Sequence, residues 1–557
     1  MDFNRYFTNE ELAALLNEWA ATYANILALG VLGQSHEGKD ISILTITNKT
    51  TGPDTEKPAV WLDANIHATE IAGTTTALRI AWELLSKYGS DEKITRLVDT
   101  STFYIVPRLN PDGAAWAMAD IPKYVRSGVR PYPYEEKMEG LHAEDIDKDG
   151  RILSMRFPDP HGEWKISTQN PRLMEKRAPD ETGGQYYRVF SEGLIEDYDG
   201  TLIKIARSHQ GLDFNRNYPF EWRTESDQYG AGPYPTSEPE IRAAVVFITQ
   251  HPNIHAGIAY HTFSGVILRP YGTKDDKEID TDDLWTFEAI AERAKELTGY
   301  RTVSVFHDFK YHPKQVISGV SNDWLYENQG IYGYVIELWD IVGRATDKFE
   351  RKYIEWFRNH PHEDDVKILE WVEQNAAPGA YVDWYEYEHP QLGKLELGGM
   401  NSMYTFRNPP HAFMGEEAER NVPYVLSLAE MLPRLNIHTL KATLLADGTY
   451  HLNLVVENPG YFPTYTSKMG KKRGARPVRV ELELPEGAEF VQGKQKTDLG
   501  HLEGRSNKGG LFGSGNNGTD NRARTEWVIR IPAGKGMVRA NVISERAGAV
   551  HAEIPLS

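Results

Sequence analysis

The chain contains no cysteine. Disulfides, thiolate metal sites and cysteine nucleophiles are therefore excluded, and any metal chemistry must use His, Asp and Glu. Positive charge is also scarce: 61 Lys and Arg stand against 80 Asp and Glu in 557 residues, a net charge of −19 at pH 7. Nucleic acid and anionic membrane both reward clustered positive charge, so neither is an expected partner. No apolar run approaches the length of a membrane span, and Met1-Asp-Phe-Asn-Arg-Tyr6 lacks the basic start and apolar core of a secretory signal. The expectation is a cytoplasmic protein, or a secreted one if a signal has been trimmed. What is present suits a folded enzyme. The length allows a large domain and a second unit, and 40% hydrophobic residues with 11% aromatics fill real cores.

The stretch that draws chemical attention is Trp61-Leu-Asp-Ala-Asn-Ile-His-Ala-Thr-Glu70. Imidazole and carboxylate are both good Zn²⁺ ligands, and a catalytic zinc takes three protein ligands with a position left for water. His67 and Glu70 supply two. They follow a short buried strand, Ala59 to Leu62, and precede a long helix from Ile71 to Leu85; the carboxyl end of a strand is where α/β folds place their sites. Farther on, Ile254 to His261 is a buried strand ending in histidine. Tyr332-Gly-Tyr-Val-Ile-Glu-Leu-Trp339 sets Glu337 among large apolar groups, where a carboxylate is costly without a partner or a task.

Around these residues the elements fall in order. Thr8 and Glu11 stand at capping-box spacing before Leu12, Leu15, Leu16 and Trp19, predicting an amphipathic helix. Leu27 to Leu32 and Ile41 to Thr47 form a hairpin whose loop holds a solvated His36. A helix near Lys93 to Val98 leads to the strand Thr102 to Val106 and the turn-rich Pro107 to Gly113. From about 131 to 210 periodicity fades and Asp, Gly and Pro dominate. Asp145, Asp147 and Asp149 resemble the first half of a calcium loop, but position twelve, where a bidentate Glu belongs, is Arg156; structural Ca²⁺ and a plain acidic loop remain equal readings. Helices are expected at Ile241 to Phe247, Thr286 to Leu297, within 341 to 380, and at Glu416 to Met431, with β character at Tyr385 to Gly399. Beyond a boundary near 433 to 437, short alternating segments separated by Gly, Pro and Asn predict a β-sandwich. Within it, Gly504 to Asp520 is expected to be a loop and Lys471-Lys-Arg473 a solvated hairpin tip.

Taken together, His67-x-x-Glu70, Asn110-Pro-Asp-Gly113, Gly211-x-Asp213-x-Asn215-Arg216, His261 and Glu337 in Ile-Glu-Leu-Trp resemble the zinc metallocarboxypeptidase family, of which carboxypeptidase A is the familiar type. The resemblance covers roughly residues 10 to 435. It implies an α/β/α fold with a mixed sheet and a catalytic domain at 1–435 carrying the 131–210 insertion; the β-sandwich at 436–557 lies outside the resemblance and is expected to be an accessory unit for docking another protein or a glycan. It implies one Zn²⁺ held by His67, Glu70 and His261, with Glu337 as general base for metal-activated water. Arg126 matches the residue that stabilises the oxyanion, with Arg130 the alternative. Asn215 and Arg216 match the pair that grips a free terminal carboxylate, and Asp213 an outer partner of the first zinc histidine. The implied activity is removal of C-terminal residues from peptides; the alternatives are an N-acyl amino acid amidohydrolase on the same scaffold, and an inactive peptide-end-binding protein.

Three departures stand out. The insertion lengthens the path from Arg126 to Asn215. The family's mobile capping tyrosine, counted back from Glu337, falls on Gln315, with Tyr311 close but displaced. The residue that helps set side-chain preference is Asn322, in a pocket expected to include Leu268, Ile317, Val320 and Val335.

Overall fold

The computed structural model describes residues 1–312, 314–446, 448–510, 518–531 and 535–556. Thr8 caps the first helix, Asn9–Thr22, with the reciprocal Glu11 bond that the spacing predicts. The strands β1 (Leu27–Gln34) and β2 (Asp40–Ile46) form the hairpin, and β3 (Ala59–Ala64) and β4 (Thr102–Val106) follow, separated by the helices Ala72–Lys87 and Glu92–Thr100. His36 is exposed, as expected of a loop residue.

The region from 131 to 210 is not the irregular stretch its composition suggests. It holds six short strands, β5 (Gly140–Ala143), β6 (Ser154–Pro158), β7 (Trp164–Ile166), β8 (Met174–Lys176), β9 (Tyr187–Ser191) and β10 (Gly193–Glu196). Strands of three to five residues are too short to print an alternating pattern on the sequence.

The large sheet continues with β11 (Ile254–Thr262), β12 (Val266–Arg269), β13 (Arg301–Ser304) and β14 (Tyr332–Leu338). Its order is β1-β2-β4-β3-β11-β14-β12-β13. The central strands β4, β3, β11 and β14 are parallel, β1–β2, β2–β4 and β14–β12 are antiparallel, and the edge pair β12–β13 is parallel again, so the sheet is mixed. All residues of β3, β4 and β11 are buried, because helices cover both faces. On one face Ala72–Lys87 and His411–Met431 pack together against a core that includes Leu62, Ile258 and Ile336.

After charged helices between 341 and 375, β15 (Tyr381–His389) and β16 (Gly393–Met400) turn back to the insertion. They complete a six-stranded sheet in the order β15-β16-β6-β9-β7-β8, with Arg156 opposite Glu396 and bonded to it. That pairing uses the residue that breaks the calcium-loop pattern.

Residues 434–555 form an all-β domain of two four-stranded antiparallel sheets around Leu452, Val480, Trp527 and Val542. One sheet runs Asn436–Ala446, Thr449–Glu457, Arg522–Arg530, Glu489–Gln492; the other Lys496–Gly500, Val478–Glu483, Gly536–Ser544, Gly548–Leu556. Residues 511–517, the middle of the expected 504–520 loop, lie outside the described residues. Lys471-Lys-Arg473 is not a hairpin tip. Lys471 and Lys472 end a short helix, Lys468–Lys472, whose first backbone N–H groups donate to buried Asp283, and Arg473 donates to Glu327. The three basic residues are solvated as expected, but long-range hydrogen bonds to Asp283 and Glu327, which local charge could not reveal, set the segment's conformation. Among the described residues no helix is long and apolar enough to cross a membrane.

Candidate metal centre and cleft

Three parallel strands deliver the site. β3 ends at Asn65, whose φ of 57° lies in the left-handed region that Asn tolerates better than most residues. Its Nδ2 donates to the His67 carbonyl at 2.7 Å, fixing the turn that presents His67 and Glu70. β11 ends near His261, and β14 places Glu337 directly opposite it in register. Asn110 ties the Arg126 segment to this corner: its Nδ2 donates to Ile66 O and Ser127 O, and its Oδ1 accepts from Gly113 N–H. The Asn-Pro-Asp-Gly sequence is thus a buried clamp and helix cap.

His67, Glu70 and His261 are buried, with ligand atoms all within 4.8 Å of one another. The two Nδ1 atoms are 3.0 Å apart, and lie 3.0 and 3.2 Å from Glu70 Oε2. His67 Nε2 is 3.1 Å from Asp213 Oδ1. A carboxylate there accepts the Nε2 proton and leaves the Nδ1 lone pair facing the cluster. Converging imidazole and carboxylate lone pairs in a buried corner fit a divalent cation, and the N/N/O set suits zinc.

Charge is balanced tightly. Burial alone would raise the Glu70 carboxyl, but His67, His261 and Arg126 outweigh it and hold it well below the usual range. The same contest at Asp213 is won by Arg216, Arg126 and His67. Arg126 donates Nε to Asp213 and Nη1 to Glu70, both at 3.0 Å. Glu337 differs: burial, opposed by His261 and reinforced by Glu70, pushes it up to about 7.

The cluster opens onto a cavity of about 40 Å³, lined by Arg126, Asn215, Arg216, Asn322 and Glu337 and walled by Leu268, Ile317, Val320 and Val335. Asn322 is buried, and among the described residues its Nδ2 has no hydrogen-bond partner. Asn215 Oδ1 accepts from Ser321 N–H, seating the pair beside the first turn of helix Ser321–Gln329. Tyr311 borders the cavity, whereas Gln315 is exposed and lines a neighbouring space. Of the two positions offered by the sequence, Tyr311 is the one that lines this cavity. Arg130 is held by Glu238 at 2.6 and 3.1 Å and does not line the cavity.

Asp145, Asp147 and Asp149 do come together. Their oxygens accept from the N–H groups of Asp149, Gly150 and Arg151, from the Arg151 guanidinium, and from the Tyr385 hydroxyl. One residue near the cluster had no sequence signal: Arg407, a lone arginine in a proline-containing loop, whose Nη1 is 4.0 Å from Glu70 Oε1.

A mixed sheet with a His/Glu/His corner at the carboxyl ends of its parallel strands defines a metal-dependent hydrolase. The zinc carboxypeptidase profile matches residues 12–349, more than half of the chain, and the chain belongs to that family. It is similar to carboxypeptidase A2 of Mus musculus, 24% identical over 381 residues covering 65% of this chain and 72% of the mouse protein. Similarity to carboxypeptidase A6 of Homo sapiens is 23% over 357 residues, 61% of each. The crystal structure of thrombin-activatable fibrinolysis inhibitor aligns with a TM-score of 0.43 and 17% identity over 77% of both chains. Residues 434–555 match a domain of unknown function.

Proposed function

We propose that this chain is a zinc carboxypeptidase that removes the C-terminal residue of peptides bearing a free carboxylate, with residues 1–435 as the catalytic unit and 436–557 as an accessory one. His67, Glu70 and His261 hold the metal, oriented by Asp213. When bound, zinc supplies Lewis acidity that makes water nucleophilic near neutral pH. Asn215 and Arg216 take the terminal carboxylate through charge-assisted hydrogen bonds. Arg126 donates to the scissile carbonyl oxygen as negative charge develops there. Glu337 accepts a proton from the attacking water and returns it to the leaving nitrogen as the C–N bond breaks; the products are a shortened peptide and a free amino acid. The observation that carries this reading is the register of His261 against Glu337, which sets the base beside the metal corner in the cavity that Arg126 and Arg216 also line.

The cavity is small for a large side chain; Val305, Phe309, Tyr311 and Ile317 line it, with Tyr311 half exposed. Metal analysis and cleavage of matched free-acid and C-terminally amidated peptides test the reading. One zinc per chain and at least a tenfold preference for the free acid, about what a charge-assisted contact supplies, are expected. Glu337→Gln should keep the metal and lose about 10²- to 10⁴-fold in kcat. Equal cleavage of both peptides overturns the role of Arg216, and a fully active Glu337→Gln variant overturns the mechanism.

A further inference from the structure

The catalytic reading leaves Arg407 without a task. It lies in the segment after β16, beyond the residues that match the family. Buried Asn408 fastens that segment to the metal corner: its Oδ1 accepts from Ala72 N–H at 3.0 Å, and its Nδ2 donates to Thr69 O at 2.8 Å. Arg407 is set over the Phe263 ring, 5.2 Å from its centre. Its nearest carboxylate oxygen, Glu70 Oε1 at 4.0 Å, already accepts from Arg126 at 3.0 Å. Among the described residues nothing accepts a hydrogen bond from the Arg407 guanidinium, and the side chain is 38% exposed. A positioned guanidinium with open donors is a carboxylate receptor.

Its location says which carboxylate. Arg407, Thr69, Tyr124 and Met403 line a space of about 230 Å³, and Arg126 borders both this space and the cavity with Asn322. With the terminal residue in the Asn322 cavity and the scissile carbonyl at Arg126, the preceding side chain falls on the Arg407 side. Tyr124 and Val125 also line a cavity of about 630 Å³ against the insertion, whose charged lining is Lys123, Lys137 and Glu144.

Resting on the peptidase reading, we propose that Arg407 binds an acidic side chain on the residue immediately upstream of the scissile bond, making peptides with penultimate Asp or Glu the favoured substrates. The experiment uses zinc-loaded full-length chain and N-blocked peptides identical except for penultimate Glu, Gln or Lys. Glu should exceed Gln by about five- to tenfold in kcat/KM, chiefly through KM, and Lys should be poorest. Added salt should shrink the ratio. Arg407→Gln should bring it close to one, Arg407→Lys should restore part of it, and Arg407→Glu should turn it toward Lys. A ratio near one in the unaltered chain, a ratio untouched by Arg407→Gln, or an equal kcat loss on all three peptides overturns the proposal. Affinities on Glu337→Gln protein keep the two readings apart. If no peptide is cleaved, the peptidase reading fails, while tighter binding of the Glu peptide still supports Arg407 and equal binding rejects it.

Discussion

Asp213 is the residue on which the corner's charges meet. It touches His67 at 3.1 Å and Arg126 at 3.0 Å, and lies 3.8 Å from Arg216. Asp213→Asn keeps the shape but removes the charge that favours the correct His67 tautomer, and zinc affinity should fall about 10- to 100-fold in a competition against a metal buffer. The pH profile should follow Glu337. It accepts a proton only when ionised, so kcat/KM should rise with pH on the acid side. A cation beside the carboxyl favours its charged form, so the midpoint should fall below the value of about 7 that burial gives without metal. His67, Glu70 and His261 were legible through several short motifs standing in the order of a known family, and Glu337 also because a carboxylate among large apolar groups is costly without a partner or a task. Arg407 was not, since a single loop arginine carries no pattern, and the Tyr311 position depends on loop length rather than on residue type.

At the level of elements, the pocket depends on how closely helix Ser321–Gln329 sits on the sheet. Gly257 of β11 and Gly333 of β14 are register partners beneath it. A Cβ at Gly333 would meet Leu325 side-chain atoms at 3.0 Å and the Asn322 carbonyl at 3.1 Å; at Gly257 it would meet Leu325 Cδ1 at 2.9 Å. Gly333→Ala should therefore lift the helix that carries Asn322. The expected cost is about 1–3 kcal/mol of stability, read by denaturant unfolding, with a raised KM. The core strands and most helices could be read from apolar runs and caps, because burial on both faces leaves continuous Val, Ile, Leu and Tyr. The six-stranded rim sheet could be read only in part: β15 and β16 account for the β character at Tyr385 to Gly399, whereas β6 to β9 are too short to show a pattern, and the two halves are joined by long-range pairing such as Arg156 with Glu396.

The all-β domain is bolted to the C-terminal end of that same helix. Ser467 donates to Gly330 O, Arg546 donates to Gln329 O, and Gly470 packs within 2.4 Å of where a Gly330 Cβ would stand. His255 sits in a closed circuit: Nε2 meets Arg546 O, Nδ1 meets the Thr466 hydroxyl, and Arg546 donates to that hydroxyl. Burial lowers its pKa to about 3. The folded state thus prefers neutral His255 and the unfolded chain binds more protons between about pH 3 and 6.5, so stability is full above that window and declines as pH falls through it. Thermal melting should show a loss of up to about 1.4 kcal/mol per pH unit from this group, smaller in His255→Gln. The sandwich was legible from its alternating strands, but this junction was not, because its contacts pair residues far apart in the chain. The rim sheet has a related consequence for synthesis. A chain emerging from its N-terminus displays β6 with an open edge until β16 follows some 240 positions later, by which time His67, Glu70, His261 and Glu337 have all been made. The residues of the metal corner are thus complete in the chain before this sheet is, and during that interval an unpaired strand is offered to any neighbouring chain.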